Sequence, residues 1–358
     1  MPIIKFGIIG AGWRCRFFMR IVKAYPDRFN CAGVVVRNAE KRQSFQQAWG
    51  VPTYASLDAL LDAHPVDFIV VSTNENNKVI LEVVERGVPC LSETPPARSE
   101  EELIRVFEAV QEQSGKVQIA EQYHLRPHHQ AQTAVLKSGK IGEVSQAQTS
   151  IAHGFHGMSM IRYFLNIGYE NAVIRGTTFT SPFIKGPDRA GAPTEEEIVD
   201  SEQVLAWFHF ENNKLGTLDF TGNQYRAWVR NERLLIRGER GEISNNQIRY
   251  LKAFDEPMAF ELERVTHGQE EDQKQPGFMG YRGEGEWLYR NPFARTILMD
   301  DEIAIAHCLE KMQRFVDTGN SFYSLAEASQ DVYLSLLYEQ ACKEEKVVES
   351  ETQIWAGR

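Results

Sequence analysis

The spacing of apolar positions changes along this chain. In the first third, short apolar runs at residues 5–9, 32–36, 66–71, 88–92 and 116–120 alternate with helical patterns at 17–22, 39–49, 57–63, 77–86 and 100–113. Unbroken runs of this length predict strands buried on both faces, whereas Ile80, Val83 and Val84 fall on one side of a helix. Gly50 and Gly87 stand where two of the helices must stop. Strands and helices in this alternation predict a parallel sheet covered on both sides, and so a first domain over residues 1–122.

Beyond it the pattern is different. A helix at 127–138 leads through Gly139-Lys140-Ile141-Gly142 into a strand at 143–151 and a short helix at 158–165. Alternating or β-rich runs at 173–180, 203–210, 214–221 and 233–236 predict a mostly antiparallel open sheet, one face of which is free for an oligomer contact. Residues 186–197 and 266–285 are polar and Gly-rich and are expected as loops over a site. Residues 303–317 and 325–343 form amphipathic helical patterns separated by Gly319. The fold class expected is therefore α/β: a doubly wound nucleotide-binding domain followed by an α+β domain at 123–358.

A length of 358 residues and 42% hydrophobic content allow two buried cores. The formal net charge of -10 argues against nucleic acid as a partner, and basic residues form no stripe interleaved with aromatics. Cys15, Cys31, Cys90, Cys308 and Cys342 are odd in number, widely spaced and outside any C-x-x-C pair, as expected of reduced cytosolic thiols. The apolar start, residues 2–12, reads as a first strand rather than a signal peptide, and no apolar run approaches membrane-spanning length. A cytoplasmic protein, with no membrane partner, is expected.

The first strand ends on Gly10-Ala11-Gly12-Trp13-Arg14-Cys15 before a helix, and a second strand follows within about 30 residues, the opening βαβ unit of a dinucleotide-binding domain. Gly10 permits the sharp exit from the strand. Gly12 lets the backbone approach a pyrophosphate at the helix N-terminus, while Cys15 replaces the usual third glycine. The second strand ends on Arg37-Asn38 rather than on an acid, with Lys41 and Arg42 close behind. An acid would hydrogen-bond the ribose hydroxyls of NAD, whereas arginine grips a 2′-phosphate, so NADP(H) is expected over NAD(H).

Ser92-Glu93-Thr94-Pro95-Pro96, Gln122-Tyr123-His124 and Lys137-Ser138-Gly139-Lys140-Ile141-Gly142-Glu143, together with the N-terminal motif, resemble the glucose-fructose oxidoreductase, inositol dehydrogenase and rhizopine catabolism family (Gfo/Idh/MocA) over nearly the whole chain. The resemblance implies a Rossmann domain, a C-terminal domain with an open sheet, hydride exchange between NAD(P) and a sugar, polyol or cyclitol, and a homo-oligomer, dimer or tetramer. It also implies cofactor contacts for Gly10, Ala11, Gly12, Trp13, Arg14, Arg37, Asn38, Arg42, Thr73, Asn74, Glu93 and Gln122. Where the family carries Glu-Lys-Pro, this chain has Glu93-Thr94-Pro95; Thr94 supplies a hydrogen bond but no ammonium charge to a developing alkoxide. Either Pro95 or Pro96 is a candidate for a cis peptide. Thr73 is followed by Asn74 in place of the family's proline, and Lys78 stands where a histidine is usual.

The family's Asp, four residues before a His, is here Ala152, and His156 matches the His. Imidazole titrates near neutrality, and a place just before the 158–165 helix favours its neutral, proton-accepting form, so His156 is the expected general acid or base. Tyr123 and His153 are candidates to replace the missing Lys and Asp. No metal site is expected, since neither His153-x-x-His156 nor His124, His128 and His129 lie in a H-E-x-x-H or Cys-pair pattern. Three functions stay open: an NADP-dependent oxidoreductase, a glycoside-cleaving enzyme using transient oxidation, and a non-catalytic NADP(H)-binding sensor or partner subunit.

Overall fold

A computed structural model describes residues 2–269 and 272–357. The chain forms two compact units. Residues 1–127 group with 266–279 and 291–329, and residues 128–265 group with 280–290 and 330–358. The division at 122/123 read from the sequence follows the chain, whereas the packing is discontinuous along it.

In the first unit the strands are Ile4–Ile9 (β1), Phe29–Val35 (β2), Thr53–Tyr54 (β3), Phe68–Val71 (β4), Cys90–Ser92 (β5) and Val117–Ile119 (β6), and the helices between them are Cys15–Ala24 (α1), Ala39–Trp49 (α2), Leu57–Ala63 (α3), Asn76–Val84 (α4) and Glu100–Glu112 (α5). The strands pair in parallel in the order β3-β2-β1-β4-β5-β6. This is the doubly wound arrangement, with its reversal between β1 and β4. Local signals set the helix ends. The side chains of Asn38, Ser56 and Ser99 accept backbone N–H bonds at three N-termini, and Gly50 ends α2 at φ +66°. The centre is apolar on both faces: Phe6 stacks on Phe68 at 5.8 Å and meets Phe18 at 6.4 Å. Burial of each such ring contributes roughly 1.5–3 kcal/mol.

The second unit begins with Pro127–Lys137 (α6), Val144–Ser150 (β7), Gly154–Leu165 (α7), Ala172–Ile184 (β8), Ile198–Phe210 (β9), Leu215–Thr221 (β10), Arg233–Gly238 (β11), Gly241–Ser244 (β12), Gln247–Ala253 (β13) and Glu256–Glu261 (β14). Glu263–Gln269 (β15), Asp272–Gly283 (β16) and Glu286–Arg290 (β17) make a further three-stranded sheet. Residues 266–285, expected as a loop, are thus mostly strand; residues 270 and 271 lie outside those described. The loop at 186–197 is irregular as expected.

Asp300–Thr318 (α8) returns to the first unit, where it lies beside α1 and near β1 and β4, and Leu325–Glu344 (α9) and Val348–Glu349 (β18) close the chain. Glu302 and Glu310 of α8 pair with Arg20 and Arg28, and Asp301 accepts from Arg126 Nε at 2.7 Å.

The large sheet of the second unit runs β14-β13-β12-β11-β7-β10-β9-β8-β18 and is antiparallel in its pairings save for β7 with β10. Its register explains its two faces. Ala147, Ile174, Ala206, Phe208 and Leu218 are fully buried, whereas Arg175, Phe179 and Trp207, of opposite parity, are exposed. Helices α7 and α9 cover the buried side: Phe208 meets Tyr338 at 6.1 Å, and a Cβ on Gly216 would strike Ile161 at 2.5 Å. Among the described residues no helix is long and apolar enough to cross a membrane.

Candidate active site

In the first unit a cleft of about 280 Å³ opens at the carboxyl ends of β1, β2 and β4, at the point where the strand order reverses. Its lining includes Gly10, Ala11, Arg37, Asn38, Thr73 and Asn74. Gly10 has φ +108°, and a Cβ there would stand 2.1 Å from the Ser72 carbonyl oxygen, so only glycine makes this turn. Nothing lies within 4 Å of a Cβ built on Gly12. Helix α1 carries no acid in its first turn and no side-chain cap; Arg16 N and Phe17 N donate to the Trp13 and Arg14 carbonyls at 3.2 and 3.0 Å, and the positive end of the helix favours an anion. Cys15 is fully buried in the third-glycine position, and burial pushes its thiol up, followed by the neighbouring Cys31.

The cationic side of the cleft comes from β2 and α2. Arg37 is largely exposed and meets Glu82 at 3.4 Å, a surface pair that restrains it little. Asn38 is spent on capping, its Oδ1 accepting from Lys41 N at 2.9 Å. Arg42 Nη1 donates to the Val36 carbonyl at 3.1 Å and is absent from the lining, where Lys41 stands instead. On the opposite wall Asn76 ties two loops together. Its Oδ1 accepts from Thr73 N and Oγ1 at 3.1 and 3.2 Å, and its Nδ2 donates to the Glu93 and Pro95 carbonyls at 2.8 and 3.1 Å. The sequence reading missed Asn76; the signal available was an Asn three residues after Thr73 at a strand end, the spacing of a side-chain turn cap. Lys78 pairs with Glu75. Thr94 is half-buried and the cis peptide is Thr94-Pro95.

Beside this lies a buried polar group. Arg14 Nε approaches Glu93 Oε2 at 3.4 Å, its guanidinium sits 5.2 Å from the Trp13 ring and 5.1 Å from Phe17, and Gln122, its amide oriented so that Nε2 donates to Ala120 O at 3.0 Å, accepts from Arg14 Nη2 at 3.2 Å. Arg14 Nη1 and Glu93 Oε1 are buried with no hydrogen-bond partner. One buried donor and one buried acceptor left open match a ligand group that both accepts and donates, as a ribose diol or a carboxamide does. The space over Gly12, the positive N-terminus of α1 and these two atoms fit a dinucleotide.

Glu121 is fully buried nearby and accepts from Tyr123 N at 3.1 Å. Burial raises its carboxyl to about 8, opposed by that N–H, Arg14 and Arg126; burial raises Glu93 to about 6, opposed by Arg14. Both groups are raised above their ordinary 4.5. The folded state therefore holds their protons more tightly than the unfolded state, and the stability they contribute is complete below pH 4.5 and is lost as pH rises through 6 and 8. Glu121→Gln is expected to flatten the fall in melting temperature across this window; a profile parallel to that of the unaltered protein would refute the assignment. Tyr123 is buried under the Arg126 guanidinium, which stands 4.1 Å from its ring centre. His124 stacks on Tyr323 at 5.0 Å, and its imidazole is lowered to about 3 by burial, then by Lys311.

In the second unit His156 is the third residue of α7, inside the helix and not before it, because the helix starts at Gly154, four residues earlier than expected. Glycines at 154 and 157 hid that start. Gly157 is required by close packing, since a Cβ there would meet Leu218 at 2.6 Å and the Ala152 carbonyl oxygen at 2.8 Å. His156 is buried, and the His153 ring lies perpendicular to it with centroids 5.4 Å apart. His153 is solvent-exposed and is the N-cap residue of α7; partial desolvation of its ring, and then His156, hold its imidazole down at about 4. Ala152 is fully buried and brings no polar group. His129 Nδ1 is bonded to Gln132 at 3.0 Å. Among the described residues no three His, Cys, Asp or Glu side chains gather as a metal site would require.

Comparison with known proteins bears on both units. Residues 4–121 match the oxidoreductase family with an NAD-binding Rossmann fold, Gfo/Idh/MocA. No curated protein matches the chain. Solved structures similar over the whole chain include levoglucosan dehydrogenase in complex with NADH and levoglucosan, 16% identical, covering 98% of this chain and 100% of the other at a TM-score of 0.69. A myo-inositol dehydrogenase from Corynebacterium glutamicum is 16% identical, with 98% and 100% covered and a TM-score of 0.66. An oxidoreductase from Agrobacterium radiobacter, in complex with NAD+, L-tartaric acid and magnesium, is 15% identical, with 97% and 98% covered and a TM-score of 0.67. At these identities the likeness to solved structures is one of fold.

Proposed function

We propose that this chain, whose residues 4–121 match the Gfo/Idh/MocA oxidoreductase family, belongs to that family and is an NAD(P)-dependent oxidoreductase acting on the CH–OH group of a sugar, polyol or cyclitol. The observation that carries this is the cleft at the sheet's switch point, lined by Gly10, Ala11, Arg37, Asn38, Thr73 and Asn74. Solved relatives of the same fold are named for myo-inositol and levoglucosan, which supports the substrate class. When bound, the nicotinamide takes up or releases hydride. The chain's own residues would bind and orient it: the turn at Gly10 and the α1 N-terminus would hold the pyrophosphate, and Arg14 and Glu93 the nicotinamide end. In the second unit His156 is the proposed acceptor of the hydroxyl proton, with His153 beside it; in the first unit Thr94 and Tyr123 are proposed as further polar groups. A screen of inositols, aldoses, ketoses and anhydrosugars with NADP and NAD, followed at the nicotinamide absorbance, tests the reading. Absence of nucleotide binding in a titration would overturn it.

NADP(H) is the proposed form. Arg37 and Lys41 line the cleft where an acid would have read the ribose of NAD. Arg37→Asp is expected to weaken NADPH by roughly 10- to 100-fold, the worth of a lost charge-assisted hydrogen bond, and to leave NADH binding nearly unchanged. An unaltered ratio of the two dissociation constants would exclude the assignment. The open face bearing Phe179 and Trp207 supports a homo-oligomer, dimer or tetramer.

One observation favours a second reading. Thr94 lacks the lysine charge, as befits a site in which oxidation is transient and the net reaction is glycoside cleavage. Product formed without net change in NADPH would select it.

A further inference from the structure

Residues 150–156 bring two imidazoles to the start of α7, and the group that orders them comes from a distant part of the sequence. The 3-10 helix Gly222–Arg226 follows β10, and its N-terminus is closed by a reciprocal pair, the Thr221 side chain accepting from the Gln224 backbone and the Gln224 side chain accepting from the Thr221 backbone. Gln224 also reaches β7: its Nε2 donates to the Ser150 carbonyl at 2.5 Å and its Oε1 accepts from Ser150 Oγ at 3.2 Å. The segment carrying Tyr225 is thereby fixed to the strand end that runs directly into His153. Tyr225 packs edge-on against Phe220 at 4.9 Å, which sets the direction of its hydroxyl. That hydroxyl accepts from the His153 backbone N–H at 3.1 Å and lies 2.6 Å from His153 Nδ1.

The phenol oxygen accepts the backbone N–H, and at 2.6 Å from imidazole Nδ1 its proton is within donating reach of that base. The geometry points to Tyr225 as a positioning residue that donates to His153 Nδ1, so that neutral His153 carries its proton on Nε2 and serves a substrate oxygen as a hydrogen-bond donor, leaving His156 as the proton-accepting imidazole. The low affinity of His153 for a second proton agrees with a neutral donor near pH 7. This division gives the reacting oxygen a neutral donor, while the proton itself passes to a different ring. It rests on the oxidoreductase reading for its catalytic meaning, but the tautomer does not.

The test is a long-range proton–nitrogen correlation spectrum of the full chain labelled with nitrogen-15 in histidine, with His153→Asn used to assign the His153 signals. The expected spectrum shows His153 protonated at Nε2 and bare at Nδ1, and Tyr225→Phe, which removes one oxygen and keeps the ring, shifts both nitrogens toward the opposite tautomer. Protonation at Nδ1 in the unaltered chain, or nitrogen signals unmoved by Tyr225→Phe, would overturn the proposal. The spectrum of the unaltered chain decides the question even if the variant folds poorly. Failure of every polyol to react would leave the tautomer result standing, so the two readings fail separately.

Discussion

His156→Asn is expected to lower kcat about 10²- to 10⁴-fold, the range for removing a positioned proton-transfer group, and to leave the dissociation constant of NADPH unchanged. The reason is a separation of tasks. The groups that fit the nucleotide belong to the first unit, whereas His156 is held in the second by α7. Asn retains a polar side chain of similar reach at a buried position, so the loss reports chemistry rather than packing. The measurement pairs steady-state kinetics on the responding polyol with a fluorescence titration of NADPH. If turnover survives in the variant, the proton leaves by another group, and Tyr123 and His153 become the residues to replace next.

Asp331→Ala is expected to remove about 3–5 kcal/mol of stability, the cost of leaving a buried guanidinium without its carboxylate. Arg162 of α7 and Asp331 of α9 are 5% and 3% exposed and meet at 2.6 Å. Arg162 Nε and Nη2 are already committed to the Gly168 carbonyl at 3.1 and 2.7 Å, so the cation is held in place when Asp331 is lost. The double replacement Arg162→Met with Asp331→Leu should recover most of the loss, since two apolar side chains need no counter-charge. Urea unfolding followed by circular dichroism measures both. A loss below about 1 kcal/mol, the ordinary value of a solvated surface pair, would refute the assignment of a desolvated interaction.

The parallel sheet was legible because each of its elements carries its own local signal. Helices α2 and α3 begin and end at the expected residues, since Asn38, Ser56 and Gly50 fix them without help from the rest of the chain. The strands from β12 to β17 were largely hidden. Glu256–Glu261 leaves Glu256, Pro257, Ala259 and Glu261 exposed and Met258 and Phe260 only half-buried, so there is little contrast between its faces for a period of two to register. The loop expected at 266–285 failed for a related reason: its glycines and charges suit a turn locally, and strand pairing overrules them at residues 266–269 and 272–283. At the site, the turn at Gly10 and the cleft positions around Arg37 and Thr73 were visible as motif. Asn76 and Tyr225 were not, because each acts through partners far away in sequence, Tyr225 across 72 residues.

The return of α8 to the first unit has a consequence for how the polypeptide matures. A ribosome releases the six parallel strands roughly 180 residues before the helix that pairs with Arg20, Arg28 and Arg126, at the emergence rates typical of translation. During that interval the flank awaiting Ile303, Ala304 and Leu309, all fully buried in the finished molecule, is bare. The first unit must therefore wait for a segment made long after its sheet, so the order of synthesis and the order of completion differ.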